Sequence, residues 1–141
     1  DLRIATEDSQ FGIPAAKLSI IYGLDVVHQL VDLVGPAYAK DILYSARAVD
    51  AEEALRIGFI QRLLPVAELE RYTDDYLKTV AANAPLSVRG TKAQVRAIFD
   101  GLTEAHRAEL RRLGIETFES EDYREGTRAF LEKRPPRFQG R

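Results

Sequence analysis

The side chains best suited to chemistry in this sequence form one short cluster and a few isolated positions. The cluster is Tyr22-Gly23-Leu24-Asp25-Val26, where a phenol and a carboxylate flank a glycine just before an apolar helical pattern. A carboxylate placed there can take and return a proton. It can also serve as the N-cap of the following helix, where the helix terminus stabilises its charge. Tyr22 can donate a hydrogen bond to a bound group or pack as an aromatic rim. His28 and His106 stand apart from each other and from clustered acids, so no metal site is expected and both read as ordinary helix residues. The chain has no cysteine, hence neither a thiolate nucleophile nor a disulfide framework.

These side chains must be positioned by elements that the apolar pattern outlines. Leu2, Ile4 and Ala5 read as the end of a buried strand, followed by a polar turn at Glu7–Gln10. Pro14 keeps Ile13 extended, and Leu18–Tyr22 is apolar and β-branched. Val26, Val27, Leu30, Val31 and Val34 fit a helix that Gly35-Pro36 breaks. Pro36 opens the next helix, with Ala37, Ala39, Ile42 and Leu43 turned inward. Asp50 and Glu53 have the spacing of a capping box over Ala51–Ile57, which Gly58 ends. Phe59–Leu64, closed by Pro65, is a short strand candidate. Beyond it the pattern is helical: 67–82, 86–99 with Val88, Thr91, Val95 and Ile98 aligned, a helix capped by Thr103, and a last one opening near Ser120-Glu121-Asp122.

A length of 141 residues suffices for one compact core. Two or three short strands do not make a stable sheet face alone, so the β portion is expected to continue a sheet formed upstream, and the chain to begin as if cut from a longer one. The start at Asp1 has neither a basic leader nor a long apolar stretch, so no signal peptide is expected. No apolar run approaches the ~20 residues of a membrane span. The formal net charge of −2 removes an electrostatic case for an anionic membrane. Arg111-Arg112 and the tail cations Arg134, Arg137 and Arg141 are interleaved with acids, so no basic stripe for nucleic acid forms. A cytoplasmic location is expected.

The punctuation resembles that of the crotonase (enoyl-CoA hydratase/isomerase) family. The run Asp1–Pro14, with its Phe11-Gly12-Ile13-Pro14 end, resembles the segment after the family's second central strand. Leu33-Val34-Gly35-Pro36-Ala37-Tyr38-Ala39-Lys40 resembles its LVG-x-x-x-A helix start, and Ala46–Ile60 its GR-x-x-x-A-x-EA-x-x-x-GLV stretch. Ala82–Val88 with Lys92 fits the next helix junction. Glu121-Asp122-Tyr123-Arg124-Glu125-Gly126, followed by Phe130–Pro135, resembles the ED-x-x-EG-x-x-AF-x-EKR-x-P close. The matches run in order over nearly the whole chain.

The resemblance implies an α/β fold: the C-terminal part of a spiral of ββα units (1–65), then a helical region (66–141) that assembles trimers or hexamers. It implies an enzyme acting on acyl-CoA thioesters, with coenzyme A arriving as part of the substrate and no other cofactor. A thioester enolate would be stabilised in an oxyanion hole of two backbone N–H groups, supplied with one hydratase glutamate from segments preceding the position of Asp1. This chain alone is therefore expected to be inactive. The second hydratase glutamate would follow the proline of FG-x-PE, where this sequence has Ala15. Alanine transfers no proton, so the two-carboxylate hydratase arrangement is not intact. Tyr22–Val26 stands where the family has PGAGG: Gly23 is kept, Tyr22 and Asp25 depart from it. Other members place an acid two residues before Asp25, which makes Asp25 the candidate proton-handling group. Lys133 matches the cation that reaches a neighbouring subunit's CoA phosphate, or it is a solvated terminal charge. Ala15, Tyr22, Gly23 and Lys133 are thus the candidate substrate-binding positions. Arg47 and Arg56 read as helix-surface ion partners. The competing reading is a non-catalytic CoA-binding or oligomerising subunit with a degenerate site.

Overall fold

The computed structural model describes residues 1–141, which form two compact units, Asp1–Thr73 and Asp74–Arg141. In the first, strand β1 (Ile4–Thr6) is followed by β2 (Gln10–Phe11), a 3₁₀ turn at Ala15–Leu18, and the long helix α1 (Leu24–Ser45). Strand β3 (Val49–Asp50), helix α2 (Ala51–Arg56) and strand β4 (Arg62–Leu64) complete it. β1 pairs parallel with β4, Ala5 opposite Leu63, and β2 pairs antiparallel with β3, Phe11 opposite Val49. Both sheets have only two strands. Arg3 extends the parallel pair: its carbonyl accepts from the Gln61 N–H at 2.9 Å, and its own N–H donates to the Gln61 side chain at 2.8 Å.

The core lies between these strands and α1. Leu30, Val34, Ala39 and Ile42 of α1 meet Ala5, Val49, Ala54, Ile57 and Ile60, all buried. Ile60 and Val49 are the largest fully enclosed side chains, each contributing about 1.5–3 kcal/mol of transfer free energy. Phe11 and Phe59 add a tilted ring pair 5.0 Å apart.

Gly35 is the break the sequence predicts inside α1. Its φ of 75° and ψ of 163° are non-helical, and Pro36 follows as the first residue of a new turn. Downstream of it Ala39 and Ile42 are buried and Leu43 is half-buried, but Ala37, expected inward, is exposed. Asp50 caps α2 as expected, accepting from the Glu53 N–H at 2.8 Å. The reciprocal half of that box does not form, because the Glu53 carboxylate is taken by the Arg47 guanidinium at 2.6 and 2.8 Å. Leu18–Tyr22, β-leaning in sequence, forms no strand: a 3₁₀ turn ends at Leu18, Ser19 is left-handed, and Ile20 and Ile21 face solvent. Phe59–Leu64 narrows to β4.

The helix α3 (Leu69–Ala81) follows a 3₁₀ turn at Val66–Glu68, and the second unit holds α4 (Pro85–Phe99), α5 (Glu104–Glu119) and α6 (Glu121–Glu132). Thr103 caps α5, accepting from the His106 N–H, and His106 Nδ1 accepts from the Thr103 N–H, both at 3.3 Å. His106 is therefore half of a capping box rather than an ordinary helix residue. Ser120 caps α6 through the Tyr123 N–H at 2.9 Å. Inside this unit the buried residues are few: Leu86 and Ala97 of α4, Leu113 of α5, the cap Ser120, and Ala129 with Asp122 of α6. The apolar stripe Val88, Val95, Ile98 is exposed, as are Ile115, Phe118, Phe130 and Leu131. No helix of the chain is long and apolar enough to cross a membrane.

Candidate functional site

The candidate residues of the first unit lie on the segment that leads from β2 into α1. Pro14 opens the 3₁₀ turn, and Ala15, its first residue, is 4% exposed. The turn packs on α1. After Ser19 an irregular stretch leads to Gly23, which is the N-cap of α1 with its carbonyl accepting from the Val26 and Val27 N–H groups. Asp25 is thus the second helical residue and not the cap, and no side chain caps this helix. Its carboxylate is exposed and bonds to nothing in the chain. Tyr22 is 36% exposed, and around it Ile20, Ile21 and Leu24 are at least half exposed. The structure therefore places Tyr22, Gly23 and Asp25 close together on an exposed, apolar-flanked stretch, and buries the Ala15 methyl in the preceding turn.

A cavity of about 280 Å³ in the same unit is lined by Phe11, Gly12, Ile13, Ile42, Val49 and Phe59, among others, and by none of the four candidate residues. Above it, Gly12 passes so close to the backbone that a side-chain carbon there would stand 3.3 Å from the Arg47 carbonyl oxygen. Arg47 is an ion partner as expected, binding Asp41 of α1 and Glu53 of α2. Its bond holds the Glu53 carboxyl below the usual range. Arg56 joins Glu53 and donates to the Tyr38 hydroxyl at 2.8 Å. This network ties the end of α1 to α2 and occupies the Arg47 and Arg56 guanidinium groups. His28 lies on the exposed face of α1, 3.7 Å from Asp32.

In the second unit Lys133 ends α6 in the left-handed conformation, φ 54°. Its N–H donates to the Phe130 carbonyl and that of Arg134 to the Ala129 carbonyl, the paired bonds of a Schellman motif. The Lys133 side chain is exposed and enters no ion pair, whereas Arg134 beside it is committed to Glu125 and Glu132. Two carboxylates that the sequence offered only as helix-start and motif residues organise this end of the chain. Asp122, 4% exposed, accepts from the Gln139 and Gly140 N–H groups, both at 2.7 Å. Glu125 accepts from Arg134 at 2.6 and 2.9 Å and from the Arg137 N–H at 3.0 Å. The signal available was two acids in the first turns of a helix that ends on a proline-rich basic tail.

A family model described as enoyl-CoA hydratase/isomerase matches residues 1–141. The chain belongs to the enoyl-CoA hydratase/isomerase family. Methylmalonyl-CoA decarboxylase of Escherichia coli K12 is 33% identical over 99% of this chain and 54% of its own length. Crotonyl-CoA hydratase of Syntrophomonas wolfei is 36% identical over 98% of the chain and 53% of its own. Among solved structures, an enoyl-CoA hydratase/isomerase family protein from Hyphomonas neptunium superposes with a TM-score of 0.92 at 37% identity, covering 100% of this chain and 53% of that one. The chain thus spans about half the length of the enoyl-CoA hydratase/isomerase proteins it matches, and within that half it shares their fold.

Proposed function

We propose that the intact protein is an acyl-CoA enzyme of the crotonase type that forms a thioester enolate without the two-glutamate hydratase pair. The observation that carries this reading is Ala15. It holds the place of a hydratase glutamate, its methyl is buried, and the next acid downstream is the exposed Asp25. An enolate can form by loss of an α-proton to a base or of a carboxylate as CO₂. In either case the electron pair passes to the thioester oxygen, where fixed backbone donors stabilise it. The similarity to a methylmalonyl-CoA decarboxylase supports a reaction in which the second carboxylate is dispensable. In this reading Tyr22 and Gly23 border the acyl group, Asp25 moves the proton, and Lys133 meets a CoA phosphate of a neighbouring subunit. Coenzyme A arrives with the substrate, and no separate cofactor is required.

The same reading makes the covered half the C-terminal one, with the oxyanion donors supplied from the other half. It is supported by the two-stranded sheets and by the family-like close at Glu121–Pro135. Sequencing the intact protein by mass spectrometry tests it: a glycine-rich loop and an acid should precede Asp1. Finding the remaining half after Arg141 instead would overturn the placement.

Activity is tested on the intact protein with crotonyl-CoA and with a malonyl-type thioester. Hydration should be slow, and Ala15→Glu should raise it about 10²-fold, the lower scale of general acid–base assistance. Fast hydration by the unsubstituted protein, or none gained from Ala15→Glu, contradicts the role given to Ala15. The 141-residue chain alone should turn over neither substrate. A protein with no turnover that still binds CoA would favour the non-catalytic subunit.

A further inference from the structure

The link between α1 and β3, Ala46–Ala48, is held from several sides. Ala46 is left-handed, and its N–H donates to the Ile42 carbonyl at 3.1 Å. The Arg47 N–H donates to the Ser45 hydroxyl oxygen at 3.3 Å. The Arg47 guanidinium bridges Asp41 of α1, with Nε at 3.0 Å, and Glu53 of α2, at 2.6 and 2.8 Å. It also turns back to the Ala48 carbonyl at 3.3 Å. A planar fork that serves two carboxylates and the next residue's carbonyl fixes the peptide it folds over. Gly12 rests on that peptide: a side-chain carbon there would stand 3.3 Å from the Arg47 carbonyl oxygen and 3.9 Å from the Ala48 Cα.

Gly12 follows β2, whose Phe11 lies opposite the buried Val49, and Ala15 comes three residues later. The stretch from Pro14 to Ile20 is tied into one piece. The Pro14 carbonyl accepts from the Lys17 and Leu18 N–H groups, and the Ala15 carbonyl from the Ile20 N–H. The entry at Gly12 therefore sets where Ala15 lies and where the lead-in to Tyr22 and Asp25 begins.

We propose that Arg47 is a positioning residue: by bracing the 47–48 peptide against Gly12, it sets the place of the Ala15 turn relative to the Asp25-bearing start of α1. The inference rests on the reading of Ala15 and Asp25 as site residues. Arg47 acts through Gly12 and touches no substrate. A displacement of about 1 Å caused far from the chemistry can cost about 10²-fold in rate, so such a brace has a kinetic consequence.

The test pairs hydrogen exchange by mass spectrometry with α-proton exchange of butyryl-CoA, both on the intact protein. Arg47→Lys keeps the charge but loses the fork that spans both carboxylates. Gly12→Ala presses on the same seat from the other side, and without backbone strain, since Gly12 is not among the positive-φ glycines. Each should speed amide exchange in peptides covering 15–22 about tenfold, the equivalent of one charge-assisted hydrogen bond. Peptides covering 26–34 should stay unchanged, as expected of a local opening. Each substitution should lower kcat about tenfold or more and leave KM nearly unaltered. Arg56→Gln is the control: Arg56 also pairs with Glu53 but forms no part of the Gly12 seat, so it should move neither readout whatever it costs in stability. Turn exchange that ignores both Arg47→Lys and Gly12→Ala overturns the proposal. So does acceleration of 26–34 together with the turn, or an Arg56→Gln effect equal to that of Arg47→Lys. If no form of the protein exchanges the α-proton, the enzyme reading fails, while exchange in the turn still decides the positioning.

Discussion

Glu125 takes three hydrogen bonds, two from the Arg134 guanidinium and one from the Arg137 N–H. Arg134 foremost holds its carboxyl down from the ordinary 4.5 to about 2. A depressed folded value means the stability it contributes is fully present above 4.5 and is lost as pH falls through about 2. Glu125→Gln should therefore lower the denaturant midpoint near neutral pH, and the gap to the unsubstituted protein should close between pH 4.5 and 2. A gap of equal size at both ends would refute this. At the same scale, Asp25, Tyr22 and Gly23 stood out, like Ala15, through the resemblance, by where they keep or depart from its PGAGG and FG-x-PE segments. Glu53 and Asp122 were legible only as helix-start residues and Glu125 only as part of the family-like close, and none of the bonds their carboxylates make was legible. Their partners are Arg47, Arg134 and backbone groups up to 18 residues away, and pairing at such distances leaves no periodic trace.

Helices were legible because each carries its own hydrogen bonds and caps. The stops at Gly35, Gly58 and Asn83-Ala84-Pro85 and the caps at Asp50, Thr103 and Ser120 all stand where their residue types suggest. The strands were less so. β2 and β3 have two residues each and exist through each other, and Leu18–Tyr22 has the composition of a strand but no partner in this chain to pair with. Gly35 shows what a break demands. Its backbone lies in a region open essentially to glycine alone, and nothing stands within 4 Å of an added side-chain carbon. Gly35→Ala should thus cost about 1–3 kcal/mol through backbone strain, without any clash. Gly114→Ala, exposed inside α5 with equal space, should instead stabilise by about 0.5–1 kcal/mol. Urea melts that show the two substitutions acting alike would contradict this assignment.

Across the whole molecule the notable feature is how much apolar surface the second unit leaves uncovered. Ile98, Phe118, Phe130 and Leu131 are each at least 65% exposed, although the periodicity of α4 to α6 marks such residues as core. Helical periodicity reports burial without saying against what, so the pattern predicted the stripes correctly and their partners not at all. Surfaces of this kind mark interfaces. Size-exclusion chromatography with light scattering on the intact protein should accordingly give a trimer or hexamer, and a clean monomer would defeat that expectation. The central claim, enolate formation with Asp25 as the proton-handling group, is tested most directly by α-proton exchange. A saturated acyl-CoA incubated with the intact protein in D₂O is followed by NMR. Exchange at the α-carbon is expected, falling about 10²-fold or more in Asp25→Asn, with binding of the thioester retained. Exchange that survives the substitution undiminished, or none in the unsubstituted protein, would contradict the claim.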